Sequence, residues 1–336
     1  MQAYHLKNVD DVGTVVRVDT DTPEPGAGEV RVRVEAVSLN YRDLLILDAA
    51  GQGGLDGRIP LSDGAGVVDA VGDGVDTWQV GDRVAASFFR DWIGGPFKPR
   101  YMPSALGGST TDGMLAQYVV LPATALVAVP AHLSTTEAAT LPCAAVTAWH
   151  GLFTRSGMQA GDTLLVQGTG GVALFGLQFA IAIGARAIVL SSSDEKLDRT
   201  RVLGASILIN YRDTPDWDVA VMKATNGEGA SHILELGGPD TYDRSVRSVA
   251  SAGKIVQIGV LTGFGPKPDL ARLQTENADI IGVTVGSVEQ FSAMNAFIEA
   301  NGIMPIIDRT FGFDQVVEAF AHLRSGTHFG KIVIGV

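Results

Sequence analysis

Leu164 to Gly176, LLVQGTGGVALFG, is the stretch whose reading decides the fold. An apolar run ends in a glycine-rich turn and then resumes with helical spacing, which is the pattern of strand, phosphate-binding turn and helix. Gly168 permits the tight turn out of the strand, and Gly170 lets the backbone approach a pyrophosphate with no Cβ in the way. Ala173 takes the third small position, where helix packs on strand. Thr169, Gly171 and Val172 complete the turn, and the N–H groups at the start of the helix would face the phosphates. A turn with no ligand also favours glycine, so the motif is weighed with its surroundings.

Those surroundings supply a second strand at the expected distance. Ala187 to Leu190 (AIVL) ends in Ser191, Ser192 and Ser193, where a binder of the ribose 2′-hydroxyl would place an acidic residue. An uncharged strand end leaves room for a 2′-phosphate. Lys196 follows in the first turn of the next helix, and Tyr211 closes the apolar run Ile207 to Asn210, so both are candidates for the same phosphate. Against this, Asp194 and Glu195 add negative charge, and the serines also suit a plain helix cap. The balance predicts NADP (NADPH) over NAD.

Further out, the chain divides into two patterns. Residues 1 to about 124 lack helical periodicity and carry short β-rich runs, among them Val30 to Val37, which alternates with period two, and Gly64 to Val71. Gly72-Asp73 and Gly81-Asp82 punctuate them as turns. From about Thr135 helices alternate with apolar strands: LLVQG, AIVL, ILINY, HILEL (His232 to Leu236), KIVQIG (Lys254 to Gly259) and DIIGVTV (Asp279 to Val285). Six such strands predict a doubly wound parallel sheet. A helix near Phe313 to Leu323 and a last strand, Lys331 to Val336, are placed to rejoin the first half.

Bulk properties narrow the partners. The chain has 336 residues, which suits two domains, and 46% hydrophobic with 18% charged residues describes a folded globular protein. A net charge of −12 with no basic stripe argues against nucleic acid or anionic lipid and for a small-molecule substrate. One cysteine excludes an intrachain disulfide and any Cys-rich zinc module. The N-terminus MQAYHLKNVDDVG has no secretory pattern, and no apolar run approaches the roughly 18 residues of a membrane span, so a cytoplasmic location is expected.

Several separated motifs, taken in order, resemble the medium-chain dehydrogenase/reductase superfamily over essentially the whole chain. They are NYRD (Asn40 to Asp43), SDGAGVVDAVG (Ser62 to Gly72), VGDRV (Val80 to Val84), DGMLAQYVVLP (Asp112 to Pro122), AATLPCAAVTAW (Ala138 to Trp149), the GTGGVA turn and the terminal HFGKIVIGV. The resemblance is nearest to the zinc-independent branch of quinone oxidoreductases and enoyl reductases, and to alcohol dehydrogenase-like bacterial proteins. It implies an α/β fold: a GroES-like β-rich catalytic domain over 1–124, to which 288–336 returns, plus a Rossmann NADP-binding domain over 125–287 with a doubly wound parallel sheet. It also implies that DIIGVTV lies at a sheet edge, where pairing with a second copy would give a homodimer.

Matched to the zinc-containing relatives, Asn40 stands where the first cysteine ligand would be, Ser62 in place of the histidine and Asp63 in place of the glutamate. Only Cys143 keeps a ligand-type side chain, so no metal is expected. The six histidines, His150 among them, show no metal-ligand spacing. By the same resemblance Asn40 and Tyr41 begin the segment lining the nicotinamide cleft of zinc-free relatives, and Ser62 faces the former metal cavity. Plainer roles stand beside these: Asn40 as a helix N-cap, Tyr41 as a half-buried aromatic, Ser62 and Asp63 satisfying each other, Cys143 as a small buried hydrophobe, and Arg42 with Asp43 as a local ion pair. The family also implies nicotinamide contacts at Thr147, at Gly259, Val260 and Leu261, and at Val285, Gly286 and Ser287, all after strands or in turns where ordinary packing is the alternative. The aromatic loop Ser87 to Arg100, with Phe88, Trp92 and Phe97, either walls a substrate pocket or packs an interface.

Without a Lewis acid, hydride transfer relies on hydrogen bonds aimed at the oxygen that gains charge, which suits reduction of an α,β-unsaturated carbonyl or quinone. Two alternatives stay open. One is a zinc-free alcohol or aldehyde dehydrogenase; the other is a non-catalytic NADPH-binding protein.

Overall fold

The computed structural model describes residues 1–263 and 270–336. The chain forms two compact units, residues 1–146 with 285–336, and residues 147–284. The first crossing falls later than 124/125 because Leu126–Ala128 is a strand of the first unit's sheet. The second falls at 284/285, three residues before the expected end at 287.

In the first unit, β1 (Gln2–Val9) and β2 (Val12–Asp19) make an antiparallel pair. β3 (Glu29–Leu39), β4 (Asp63–Val71), β5 (Arg83–Ala86), β6 (Tyr118–Pro122) and β7 (Leu126–Ala128) follow. The second unit contributes β8 (Thr163–Gln167), β9 (Arg186–Ser191), β10 (Ile207–Asn210), β11 (Ala230–Glu235), β12 (Val249–Gln257) and β13 (Asp279–Gly282). The chain then returns to the first unit with β14 (Ile307–Phe311) and β15 (Lys331–Gly335).

β3 is the hub of the first unit. Its alternating Val30, Val32, Val34 and Ala36 are buried, and it pairs antiparallel with β4, β6 and β15 in a seven-stranded sheet ordered β14-β15-β3-β4-β5-β7. One helix departs from the β-only expectation, Tyr41–Ala50. Its apolar residues Leu44 to Leu47 are consecutive, which hides the helical period, yet only Leu44 and Leu47 of the four turn fully inward.

The second unit is the anticipated parallel sheet, with strand order β10-β9-β8-β11-β12-β13 and every pair parallel. Its central strands are buried on both faces, with Leu164, Leu165, Ile188, Ile233, Leu234, Ile255 and Val256 almost wholly inaccessible. The order reverses after β8, so the turn that follows β8 lies at the topological switch point. β13 stops at Gly282 rather than running on to Val285, whose backbone takes the left-handed region at φ 46°. That conformation cannot continue a strand.

Candidate active site

The register of the first unit gathers a polar cluster at the ends of three neighbouring strands. Ile332 of β15 lies opposite Leu39 of β3, so Lys331 reaches the level of Asn40, the residue directly after β3. Asp63, which opens β4, pairs with Ser38 at the same end. The result is a group of buried Asp43, Ser62, Asp63 and Lys331 with half-buried Asn40, and with Cys143 beside it.

Lys331 Nζ donates 2.6 Å to Asn40 Oδ1 and 2.7 Å to the Leu39 carbonyl, and stands 3.8 Å from Asp63 Oδ2. Ser62 Oγ donates 2.7 Å to Asp63 Oδ1, and the Cys143 backbone N–H donates 3.2 Å to Asp63 Oδ2. Ser62 and Asp63 thus satisfy each other, and both are fully buried. The buried Leu61 just before them has a left-handed backbone at φ 69°, a strained conformation held in part by the Met114 N–H on its carbonyl at 2.8 Å.

Asn40 stands at the N-cap of the helix Tyr41–Ala50 with extended backbone, and its N–H donates 2.7 Å to Asp43 Oδ2. Its Nδ2 is buried and has no hydrogen-bond partner among the described residues. Burial pushes the Asp43 carboxyl up to about 6, against Arg42 and the Asn40 N–H, which pull it down. Arg42 lies 3.9 Å from Asp43, donates 3.0 Å to the Leu106 carbonyl and sits over the Phe88 ring. Tyr41 is 41% exposed on the helix surface. Burial also pushes the Cys143 thiol up, with Asp63 adding to the effect, which favours the thiol over the nucleophilic thiolate.

This donor set does not fit zinc. Asn40 Oδ1 is taken by an ammonium group, Ser62 is spent on Asp63, and a divalent cation would face Lys331 at close range. Among the described residues no group of three His, Cys, Asp or Glu side chains could hold a metal ion.

The aromatic loop packs mainly on itself. Phe88, Phe89 and Trp92 are buried, Trp92 stacks on Tyr101, and Trp92 Nε1 donates to the Gly95 carbonyl. A cavity of about 360 Å³ adjoins it, lined by Asp91, Ile93, Gly94, Arg100 and Tyr101.

In the second unit the β8 turn has the geometry a dinucleotide needs. Gly168 has φ 83°, and its N–H donates 2.7 Å to the Leu190 carbonyl. Gly170, at the N-cap of the helix Gly171–Ala182, has an ordinary φ of −80°, and a Cβ there would meet nothing within 4 Å. Neither backbone nor packing demands that glycine, whereas a phosphate approaching the turn would. The close helix–strand contact expected at Ala173 extends to Gly176, where a Cβ would fall 2.4 Å from Leu234. Thr169 is buried, while Gly171 and Val172 are half-buried on the first turn.

At the end of β9, Ser193 caps the helix Asp194–Val202 by accepting the Lys196 N–H, which is the plain capping role. The Tyr211 N–H donates 3.0 Å to the Ser191 carbonyl, so these two meet, and Ser192 and Lys196 follow on the same turn. Asp194 is held by Asn210 at 2.9 Å. Gly259 has a packing reason, since a Cβ would lie 1.9 Å from the Leu236 carbonyl; Val260 opens a turn, and Leu261 is exposed. Thr147 is buried in the second unit. Val285, Gly286 and Ser287 belong to the first unit, where Gly286 packs on Val146 and Ser287 caps the helix Val288–Asn301 through Gln290.

Sequence reasoning missed two residues. Lys331 was read only as part of a terminal motif, although a lysine opening an apolar strand signals a paired, buried charge. Glu235, fully buried at the end of β11, accepts from Gln167 Nε2 at 2.8 Å, from Thr241 and Ser245, and from the Gly237 and Gly238 N–H groups. It fixes the turn after β11, next to the β8 turn that Gln167 precedes.

A β-rich unit with a returning tail and a doubly wound parallel unit make up the two-part architecture. Residues 26–131 match the alcohol dehydrogenase GroES-like domain, and residues 171–300 match the zinc-binding dehydrogenase family. A zinc-type alcohol dehydrogenase-like protein of Schizosaccharomyces pombe is 46% identical over 92% of this chain and 91% of its own length. The crystal structure of a candidate alcohol dehydrogenase from Sinorhizobium meliloti 1021 covers 100% of this chain and 98% of its own, with TM-score 0.93 and 41% identity. That of an NAD-dependent alcohol dehydrogenase covers 100% of both chains, with TM-score 0.88 and 30% identity. A quinone oxidoreductase-like protein of Nematostella vectensis is 29% identical over 95% of this chain and 85% of its own. The chain belongs to the medium-chain dehydrogenase/reductase family of alcohol dehydrogenase-like oxidoreductases.

Proposed function

We propose that this protein is a zinc-independent, NADPH-dependent reductase of α,β-unsaturated carbonyl compounds or quinones. The observation that carries the reading is Asn40 Nδ2, a buried donor with no acceptor among the described residues, on an amide whose oxygen is already taken by the Lys331 ammonium. An unsatisfied buried donor costs about 1–3 kcal/mol, which a substrate oxygen would relieve.

The dinucleotide, when bound, supplies the hydride. Gly168, Thr169, Gly170, Gly171 and Val172 would receive its pyrophosphate, and Ser191, Ser192, Lys196 and Tyr211 its 2′-phosphate. Thr147, Gly259, Val260, Leu261, Val285, Gly286 and Ser287 are the proposed nicotinamide contacts. Asn40 would donate to the carbonyl oxygen as hydride adds to the β-carbon and the electron pair moves to that oxygen, with Tyr41 as a second donor. Water would return a proton to the α-carbon. Ser62 holds Asp63 and thereby supports the cluster.

Oxidation of NADPH by a panel of enones and quinones tests this. Turnover supports the reductase, and tight NADPH binding with no turnover supports a non-catalytic binder. The alcohol or aldehyde dehydrogenase reading is favoured by the names of the relatives, among them one NAD-dependent enzyme. We propose further that the chain forms a homodimer through β13, which ends the second unit's sheet with Ile280 40% exposed.

A further inference from the structure

Lys331 opens the last strand and is only 3% exposed, a position where an ammonium persists only with partners. Its three N–H donors meet the Leu39 carbonyl, Asn40 Oδ1 and the vicinity of Asp63. A carboxamide has one accepting end and one donating end, and a half-turn exchanges them. An ammonium can only donate, so its bond to Asn40 admits one orientation, with Oδ1 toward Lys331 and Nδ2 away from it.

We propose that Lys331 is a positioning residue that sets the polarity of Asn40, making it a donor to substrate oxygen. This inference rests on the reductase reading above. Without the ammonium the amide is free to present Oδ1, which repels an oxygen gaining negative charge. With it, charge is drawn from the amide toward Oδ1, and Nδ2–H becomes the stronger donor. The ligand chemistry implied is an acceptor oxygen, a carbonyl in the ground state and an enolate after hydride addition.

A purely structural role is the competing explanation, because Lys331 also faces the fully buried Asp63. Lys331→Met leaves that carboxyl uncompensated and threatens folding. The informative comparison is therefore Asp63→Asn against Asp63→Asn with Lys331→Met, both free of the Asp63 carboxylate that Lys331 faces. With cyclohex-2-enone as probe, adding Lys331→Met should lower kcat about a hundredfold, with KM and NADPH affinity within about threefold. In an Asn40→Ala background the same substitution should lower kcat by less than about threefold. A loss under about threefold beside Asn40, or an undiminished loss without Asn40, overturns the proposal. A readout that needs no turnover separates failure of this inference from failure of the reductase reading. In asparagine-¹⁵N-labelled protein, the Asn40 side-chain NH₂ pair, assigned by its absence in Asn40→Ala, should be rigid with Lys331 and rotationally averaged in the Asp63→Asn, Lys331→Met protein. Identical signals in the two proteins overturn the proposal even if no enone is reduced.

Discussion

The Asp43 carboxylate accepts the backbone N–H of Asn40 at 2.7 Å while its other oxygen, Oδ1, lies buried with no hydrogen-bond partner among the described residues. Burial outweighs that bond and the neighbouring Arg42, so the folded chain holds the proton up to about pH 6, against an ordinary value of 3.8. The folded state therefore binds this proton more tightly than the unfolded state does. The stabilisation is complete below the unfolded value and is lost as pH rises through the folded one. Relative to Asp43→Asn, the wild-type protein should lose up to about 3 kcal/mol of stability between about pH 4 and about pH 6. Denaturant unfolding across that range checks it, and parallel pH profiles for the two proteins would contradict it.

Gly170 separates ligand approach from fold. Gly170→Ser introduces a favoured N-cap residue at an ordinary φ with no protein atom in the way, so stability should stay within about 0.5 kcal/mol. NADPH affinity should nevertheless fall about tenfold or more, by fluorescence titration. Gly168→Ser, at φ 83°, should instead destabilise by about 1 kcal/mol or more. Unchanged NADPH affinity in Gly170→Ser would place the phosphates elsewhere.

Cofactor choice turns on Lys196. A charge-assisted bond to the 2′-phosphate is worth about 1.5–3 kcal/mol, so Lys196→Ala should weaken NADPH roughly tenfold to a hundredfold and leave NADH nearly unchanged. Equal losses for both cofactors would make Lys196 a support of the fold alone.

The parallel sheet was legible because strands covered on both faces read as unbroken apolar runs, and β8 with its glycine turn is the clearest case. The polar cluster was only half legible. Asn40, Ser62 and Asp63 lie in recognisable motifs, but the contact that orients Asn40 comes from a residue 291 positions away and depends on strand register. Glu235 was hidden for the same reason, since its partner Gln167 lies 68 positions away. The left-handed backbones of Leu61 and Val285 left no trace, because apolar side chains give no warning of such a conformation. Ser193, the residue after the two serines expected at the 2′-phosphate, caps the helix, so one serine run holds both a cap and a candidate ligand site.

Association should follow the edge of the second unit's sheet. Light scattering at micromolar concentration is expected to report a dimer, and Ile280→Arg on β13 to shift it toward monomer. A wild-type monomer would contradict the proposed homodimer.

The central claim is that a metal-free cluster with Asn40 as donor reduces conjugated carbonyl compounds. The most direct measurement is a matched pair in the presence of a chelator: cyclohex-2-enone with NADPH, against cyclohexanol with NADP⁺, both at neutral pH. The enone should be turned over with chelator present and the alcohol should be the poorer substrate, with Asn40→Ala reducing enone turnover about a hundredfold while NADPH binding survives. An inert enone beside a rapidly oxidised alcohol, or activity abolished by the chelator, would contradict the account.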